Sequence, residues 1–291
     1  MDYANIQTRA DALLARRGIA GHTAAKRFIS DFKAYLIYFS ATGVGDADQT
    51  LKLLEDDKNL TDSSILQTNF KKRLPDLISD KLARDPIFPK LFKILLDNKG
   101  KGVGAGELAL PLILSGYSFS NDSDGLLATG AKVEIKKNGA SLKPIKTGVT
   151  EKGLVDKLND KYFQGTIPGK KSAKLFEKHL ATIKDPQVYE SYFKELYPGC
   201  DNSNLRELIK EVKTAYRDPV KFNTAVGRFA LKQYQKVDGW QNIIFIDSDK
   251  QTVVNIADPS KIDTLKLKFS PVLARRKDTQ AIADGYVNVA F

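Results

Sequence analysis

A mixed α/β fold, with a central sheet flanked by helices and a helical N-terminal region, is what the sequence predicts. Three observations predict it. Residues 1–96 carry apolar residues at helical spacing. Residues 117–147 and the C-terminal stretch from about 242 alternate as strands do. A helical block at about 165–235 separates these two strand sets, and strands before and after such a block can share one sheet.

The N-terminal region is built from "NIQTRADALLARR", "TAAKRFISDFKAYLIYFSATG", "LKLLEDDKNL" and "FKKRLPDLISDKLARD", each read as helical, with Pro75, Pro86 and Pro89 as punctuation. Arg16, Arg17, Lys26 and Arg27 read as a solvated helix face rather than as contacts to DNA. At "DNKGKGVGAGE" the composition changes. Gly100, Gly102, Gly104 and Gly106 precede "ELALPLILSG", an apolar helix candidate running to about Ser115, and mark a boundary or hinge. With no Gly-Lys-Ser/Thr and no preceding strand, this glycine run is a poor phosphate loop.

Residues 97–291 are then expected to form one α/β domain. Its helical insertion holds "KSAKLFEKHLATI", "QVYESYFKELY", "NLRELIKEVKTAY" and "VKFNTAVGRFALKQYQK". Its later strands are "NIIFIDSD", "QTVVNIAD", "LKLKFSPVLARR" and "GYVNVAF". The Tyr and Phe side chains between 189 and 234 fall at helical spacing and read as core rather than as base-stacking platforms.

Composition narrows the chemistry. With 42% hydrophobic and 28% charged residues among 291, the chain has the make-up of a globular protein. One cysteine, Cys200, rules out an intramolecular disulfide framework and fits a reducing compartment. His22, His179 and that cysteine cannot build the usual zinc site, so any metal is expected to be a hard ion held by carboxylates. The net charge of +11 favours an anionic partner, most simply nucleic acid. No apolar run approaches a membrane span, and "MDYANIQTRADALLARRG" lacks a secretory apolar segment. A cytoplasmic protein, in a host cell interior or a virion, is the expectation.

The candidate chemistry lies in "SDGLLATGAKVEIKK". Gly130 suits the left-handed position that closes a three-residue loop, Ala128-Thr129-Gly130. Leu127 then opposes Ala131, and counting back sets Asp124 opposite Glu134. Alternation puts Val133 and Ile135 on one face, with Lys132, Glu134 and Lys136 on the other. Like charges directly opposite in a ladder are destabilising. A divalent cation between them is the simplest gain that offsets the cost, and Mg²⁺ needs only one or two carboxylates. Lys136 is placed to serve an attacking water or to neutralise charge on a phosphate in transition. Asp122 is the alternative acid, and the same pairing sets it opposite Lys136; position relative to Glu134 favours Asp124.

The order of Glu107 in "GAGELAL", Asp124 in "SDG", and Glu134 and Lys136 in "VEIK" resembles the PD-(D/E)xK nuclease superfamily, particularly its phage-encoded and restriction-type members. There a glutamate on the first core helix precedes an aspartate on one strand and Glu-x-Lys on the next. The resemblance covers roughly residues 100–145, and Ser123 stands where the motif has proline. It implies a restriction-endonuclease-like sheet and a Mg²⁺-dependent DNA endonuclease, with Mn²⁺ as a substitute ion. Asp124, Glu134 and Glu107 would serve the metal and Lys136 the attacking water. A homodimer, or a viral assembly partner for a non-catalytic DNA-binding protein of the same fold, is the alternative setting. Lys137, Lys143 and Lys146, "KKRLPD" and "LARRK" are further basic features, and Asp247 with Asp249 reads as a turn-forming acid pair.

Overall fold

In the computed structural model of the chain, the described residues are 2–96, 106–120, 122–142, 157–158, 161–162, 186–215, 218–272 and 286–291. They form two compact units. One comprises Met1–Lys137 with Trp240–Asp258, the other Asn138–Gly239 with Pro259–Phe291.

The first unit begins with the expected helices. Helix α1 (Tyr3–Arg16) starts at Asp2, whose carboxylate accepts from the Asn5 amide at 3.1 Å, and α3 (Ala47–Glu55) starts in the same way at Asp46. Such caps satisfy amides that the first helical turn leaves without partners. Helices α1, α2 (Lys26–Ala41), α3, α4 (Asp80–Ala83) and α5 (Phe88–Leu96) bury one apolar stripe each, including Leu14, Phe28, Phe32, Leu51 and Leu91. Arg17 departs from the expected solvated face: it is buried, donating to the Leu54 carbonyl at 3.2 Å and to Asp57 at 2.6 Å. A guanidinium out of water needs such partners.

Two helical expectations fail. Phe70–Arg73 is a strand, β2, and Leu74–Leu77 a 3₁₀ turn. Pro75 cannot occupy a helix interior, and Phe70–Arg73 finds a ladder with β9 (Thr252–Ile256), pairing Phe70 with Asn255 and Arg73 with Thr252. The approach to β2 is fixed by buried amides, Asn255 Nδ2 donating to the carbonyls of Leu66 at 2.9 Å and Thr68 at 2.7 Å. Likewise "ELALPLILSG" is a turn at 106–109, a 3₁₀ turn at Leu110–Leu112 and the short strand β3 (Leu114–Ser115), parallel to β1 (Thr61–Asp62). In a regular helix the Pro111 ring would meet the Glu107 carbonyl one turn back, so the segment cannot continue as α.

The central sheet has six strands in the order β2-β9-β8-β6-β5-β4, with β4 at Tyr117–Ser118, β5 at Gly125–Leu127, β6 at Lys132–Lys137 and β8 at Asn242–Asp247. It is mixed: β6 runs parallel to β8 and the other neighbours are antiparallel. Parallel neighbours require a crossover, and here that connection is Asn138–Gly239. One face, with Val133, Ile135, Ile244, Ile246 and Val253, shares a core with the N-terminal helices. The other carries Glu134 and Lys136 on β6 and the buried Ile243 and Phe245 on β8.

The second unit holds α6 (Pro186–Leu196), α7 (Asn202–Ala215) and α8 (Pro219–Asp238), with a three-stranded antiparallel sheet. That sheet is β10 (Lys268–Val272), β11 (Tyr286–Ala290) and β7 (Ser141–Leu142), in that order. Tyr192, Phe193, Tyr197, Phe222 and Phe229 are buried against one another, so the aromatics here are core, with ring centroids of Tyr197 and Phe229 5.1 Å apart. Gly227 lets α8 approach β10, since a Cβ there would lie 2.1 Å from the Phe269 ring. The helical N-terminal residues therefore share a unit with strands β2–β6. The expected boundary at 97, the glycine run at 100–104, part of the 165–235 insertion, Lys143, Lys146, "LARRK" and His179 lie outside the described residues. No helix among the described residues is long and apolar enough to cross a membrane.

Candidate active site

The hairpin turns where Gly130 allows it. Gly130 adopts φ +82°, its amide donates to the Leu127 carbonyl at 2.8 Å, and the Leu127 amide donates to the Ala131 carbonyl at 2.9 Å. Only glycine takes this left-handed conformation without strain. The ladder that follows pairs Leu126 with Lys132 and Gly125 with Val133, and the same register carried one step sets Asp124 against Glu134.

At that step a side chain continues the ladder. Asp124 Oδ2 accepts from the Ile135 amide at 2.7 Å, between Glu134 and Lys136 in the chain. Burial, and then the Glu134 charge, raise the Asp124 carboxyl above its ordinary value, while the Ile135 amide and Lys136 pull it back. Desolvation and a like charge act in the same direction here, both disfavouring the carboxylate. Lys136 Nζ pairs with Glu134 Oε1, and the two side chains are 28% and 17% exposed, so the pair sits in a half-buried recess rather than in open solvent. Asp122 is exposed, with its amide near Ser120 Oγ at 3.3 Å, which leaves Asp124 as the acid beside β6.

Glu107 is buried, but on the turn before the 3₁₀ segment and not on a helix. Among the described residues no three His, Cys, Asp or Glu side chains gather into a group that could hold a metal ion, while the charges of Asp124 and Glu107 both act on the buried Tyr117 hydroxyl. The donors that do come together are hard oxygens, two carboxylates across one ladder. That suits a largely hydrated Mg²⁺, which takes one or two protein carboxylates.

Tyr117 and Gly125 lie outside the Asp…Glu-x-Lys motif, and both shape this site. The Tyr117 hydroxyl is buried, has no hydrogen-bond partner among the described residues, and lies where a side chain at Gly125 would be, 1.8 Å from an added Cβ. Burial first, then the charges of Asp124 and Glu107, hold the phenol well above its ordinary range. The available signal was a glycine inside a strand, which marks close approach of a neighbour. Asp247 is a turn former as expected, accepting from the Lys250 amide at 3.0 Å. No family model, no curated protein and no solved structure matches the chain.

Proposed function

We propose that the chain is a Mg²⁺-dependent nuclease of restriction-endonuclease-like fold that hydrolyses phosphodiester bonds in DNA, acting in a host cell interior. One observation carries the reading: Asp124, the residue before β5, accepts from the Ile135 amide on β6, between Glu134 and Lys136, which are themselves paired. An aspartate on one strand and Glu-x-Lys on its antiparallel neighbour is the order that the resemblance requires. Asp124 and Glu134 would hold the ion, Mg²⁺ or Mn²⁺. When bound, the ion supplies charge for a phosphoryl oxygen and acidifies water. Lys136, tethered to Glu134, holds a positive charge beside the scissile phosphate and can orient a water. Asp124 is fixed by the Ile135 amide, so its carboxylate keeps its direction as substrate arrives.

The absence, among the described residues, of a group of three His, Cys, Asp or Glu that could hold a metal favours a second reading, a DNA-binding or virion assembly protein that keeps the fold without the chemistry. Plasmid cleavage in Mg²⁺ separates the two. Glu134→Ala and Lys136→Ala are each expected to lower the rate by about 10²–10³, as loss of one transition-state contact does. Unchanged cleavage in both variants would rule out the nuclease reading.

A further inference from the structure

We infer that edge strand β2 is a contact for the phosphate backbone of duplex DNA, made by Lys71 and Arg73 from the sheet face that carries Glu134 and Lys136. The choice of ligand rests on the proposed nuclease reading; the placement rests on register. Strand β2 ends the six-stranded sheet and presents three successive exposed cations, Lys71, Lys72 and Arg73. Lys136 pairs with Phe245, Phe245 with Val254, and Val254 with Lys71, so one row of the sheet has a lysine at each end. Members of a row point to the same face, and three strand spacings of about 4.8 Å separate the ends by about 14 Å. That distance equals roughly four base-pair rises of B-DNA. Arg73 is two residues on and shares the face of Lys71.

Lys72 points the other way, in the row Lys137–Ile246–Val253–Lys72, and its ammonium lies 5.6 Å from the Phe70 ring centroid. The inner members Phe245 and Val254 are buried, so DNA would meet this row at its ends. Arg9 is paired with Asp48 and Glu55, Arg17 with Asp57 and Lys33 with Asp11, whereas Arg73 makes no ion pair among the described residues. Exposed cations also guard a sheet edge against pairing with another strand. Guarding requires charge but no particular face, and that difference is testable.

The test is binding of a fluorescein-labelled duplex in EDTA, read by anisotropy across a salt series, with thermal unfolding to check that each variant is folded. Lys71→Gln/Arg73→Gln removes two charges from the site face. Lys58→Gln/Lys72→Gln removes the same charge from positions outside it. The expected result is a salt slope shallower by about 2 for the first pair, at about 0.9 per phosphate contact, with little change for the second. Equal losses in both pairs, no loss in either, or no duplex binding by the unaltered protein would overturn the inference. Mg²⁺ cleavage by the same variants is read separately. Cleavage with unchanged binding keeps the nuclease and discards the β2 contact; binding lost on one face without any cleavage does the reverse.

Discussion

The opposition of Asp124 and Glu134 makes the candidate site a cost to the fold, and Asp124→Asn should reveal that cost as added stability. The Asp124 carboxyl is raised in the folded chain by burial and by Glu134. Below its ordinary value the group is protonated in both states and contributes nothing. As pH climbs from the ordinary value through the raised one, the folded state keeps a proton that the unfolded state has released. Stability therefore falls across that window and stays lower above it. An asparagine oxygen can still accept from the Ile135 amide, so the variant loses the repulsion and keeps the hydrogen bond. Like charges opposite one another in a ladder cost roughly 0.2–1 kcal/mol, and each kcal/mol is worth roughly 2–4 °C in a domain of this size. The variant should melt about 0.4–4 °C above the unaltered protein at pH 7.5, with the gap closing as pH falls below the ordinary carboxyl value. Mg²⁺ should reverse the order, because an ion at about 100 times its Kd adds about 2.7 kcal/mol to the protein that binds it and nothing to one that does not. Melting scans over pH, with and without Mg²⁺, read all three effects. A variant less stable at pH 7.5, with a gap that ignores pH, would refute the reasoning.

Two further outcomes follow from packing. Gly125→Ala should destabilise by about 1–3 kcal/mol, the usual cost of an overpacked core. An added Cβ meets the Tyr117 hydroxyl at 1.8 Å and the ring carbons at 2.2 and 2.7 Å. Tyr117→Leu in the same chain should recover part of that loss in urea unfolding, and a Gly125→Ala variant as stable as the parent would show that the ring does not lie there. The Cys200 thiol, buried and pushed up to about 12 chiefly by desolvation, should resist a disulfide reagent at pH 8 until the protein unfolds; prompt modification of folded protein would contradict its burial.

The hairpin was legible because its determinants are local. Gly130 fixes the turn, the period of two fixes the faces, and ten residues separate Asp124 from Glu134, so no distant partner was needed to count the register. Strand β2 was not legible, because its ladder partner begins at Thr252 and nothing in "FKKRLPD" announces a strand. Glu107 was placed on a helix by the apolar run around it, although Pro111 already forbade one. Arg17 looked like one more surface cation in "LLARRG"; its burial depends on Asp57 and the Leu54 carbonyl, supplied from α3 and the turn that follows it. The mixed α/β class was readable from the alternation of segments. The parallel pairing of β6 with β8 was not, since it joins strands on either side of the long insertion.

That insertion has a consequence for how the protein is made. On the ribosome, β6 emerges with its hairpin partner β5, but the strand that closes its other side follows about 100 residues later. At ~5–20 residues per second the wait is on the order of 5–20 s. For that interval the strand bearing Glu134 and Lys136 is an open edge with an apolar face, the arrangement most prone to mispairing with another chain. The charges on its other face then have a second use during synthesis, as a deterrent to aggregation before any substrate is met.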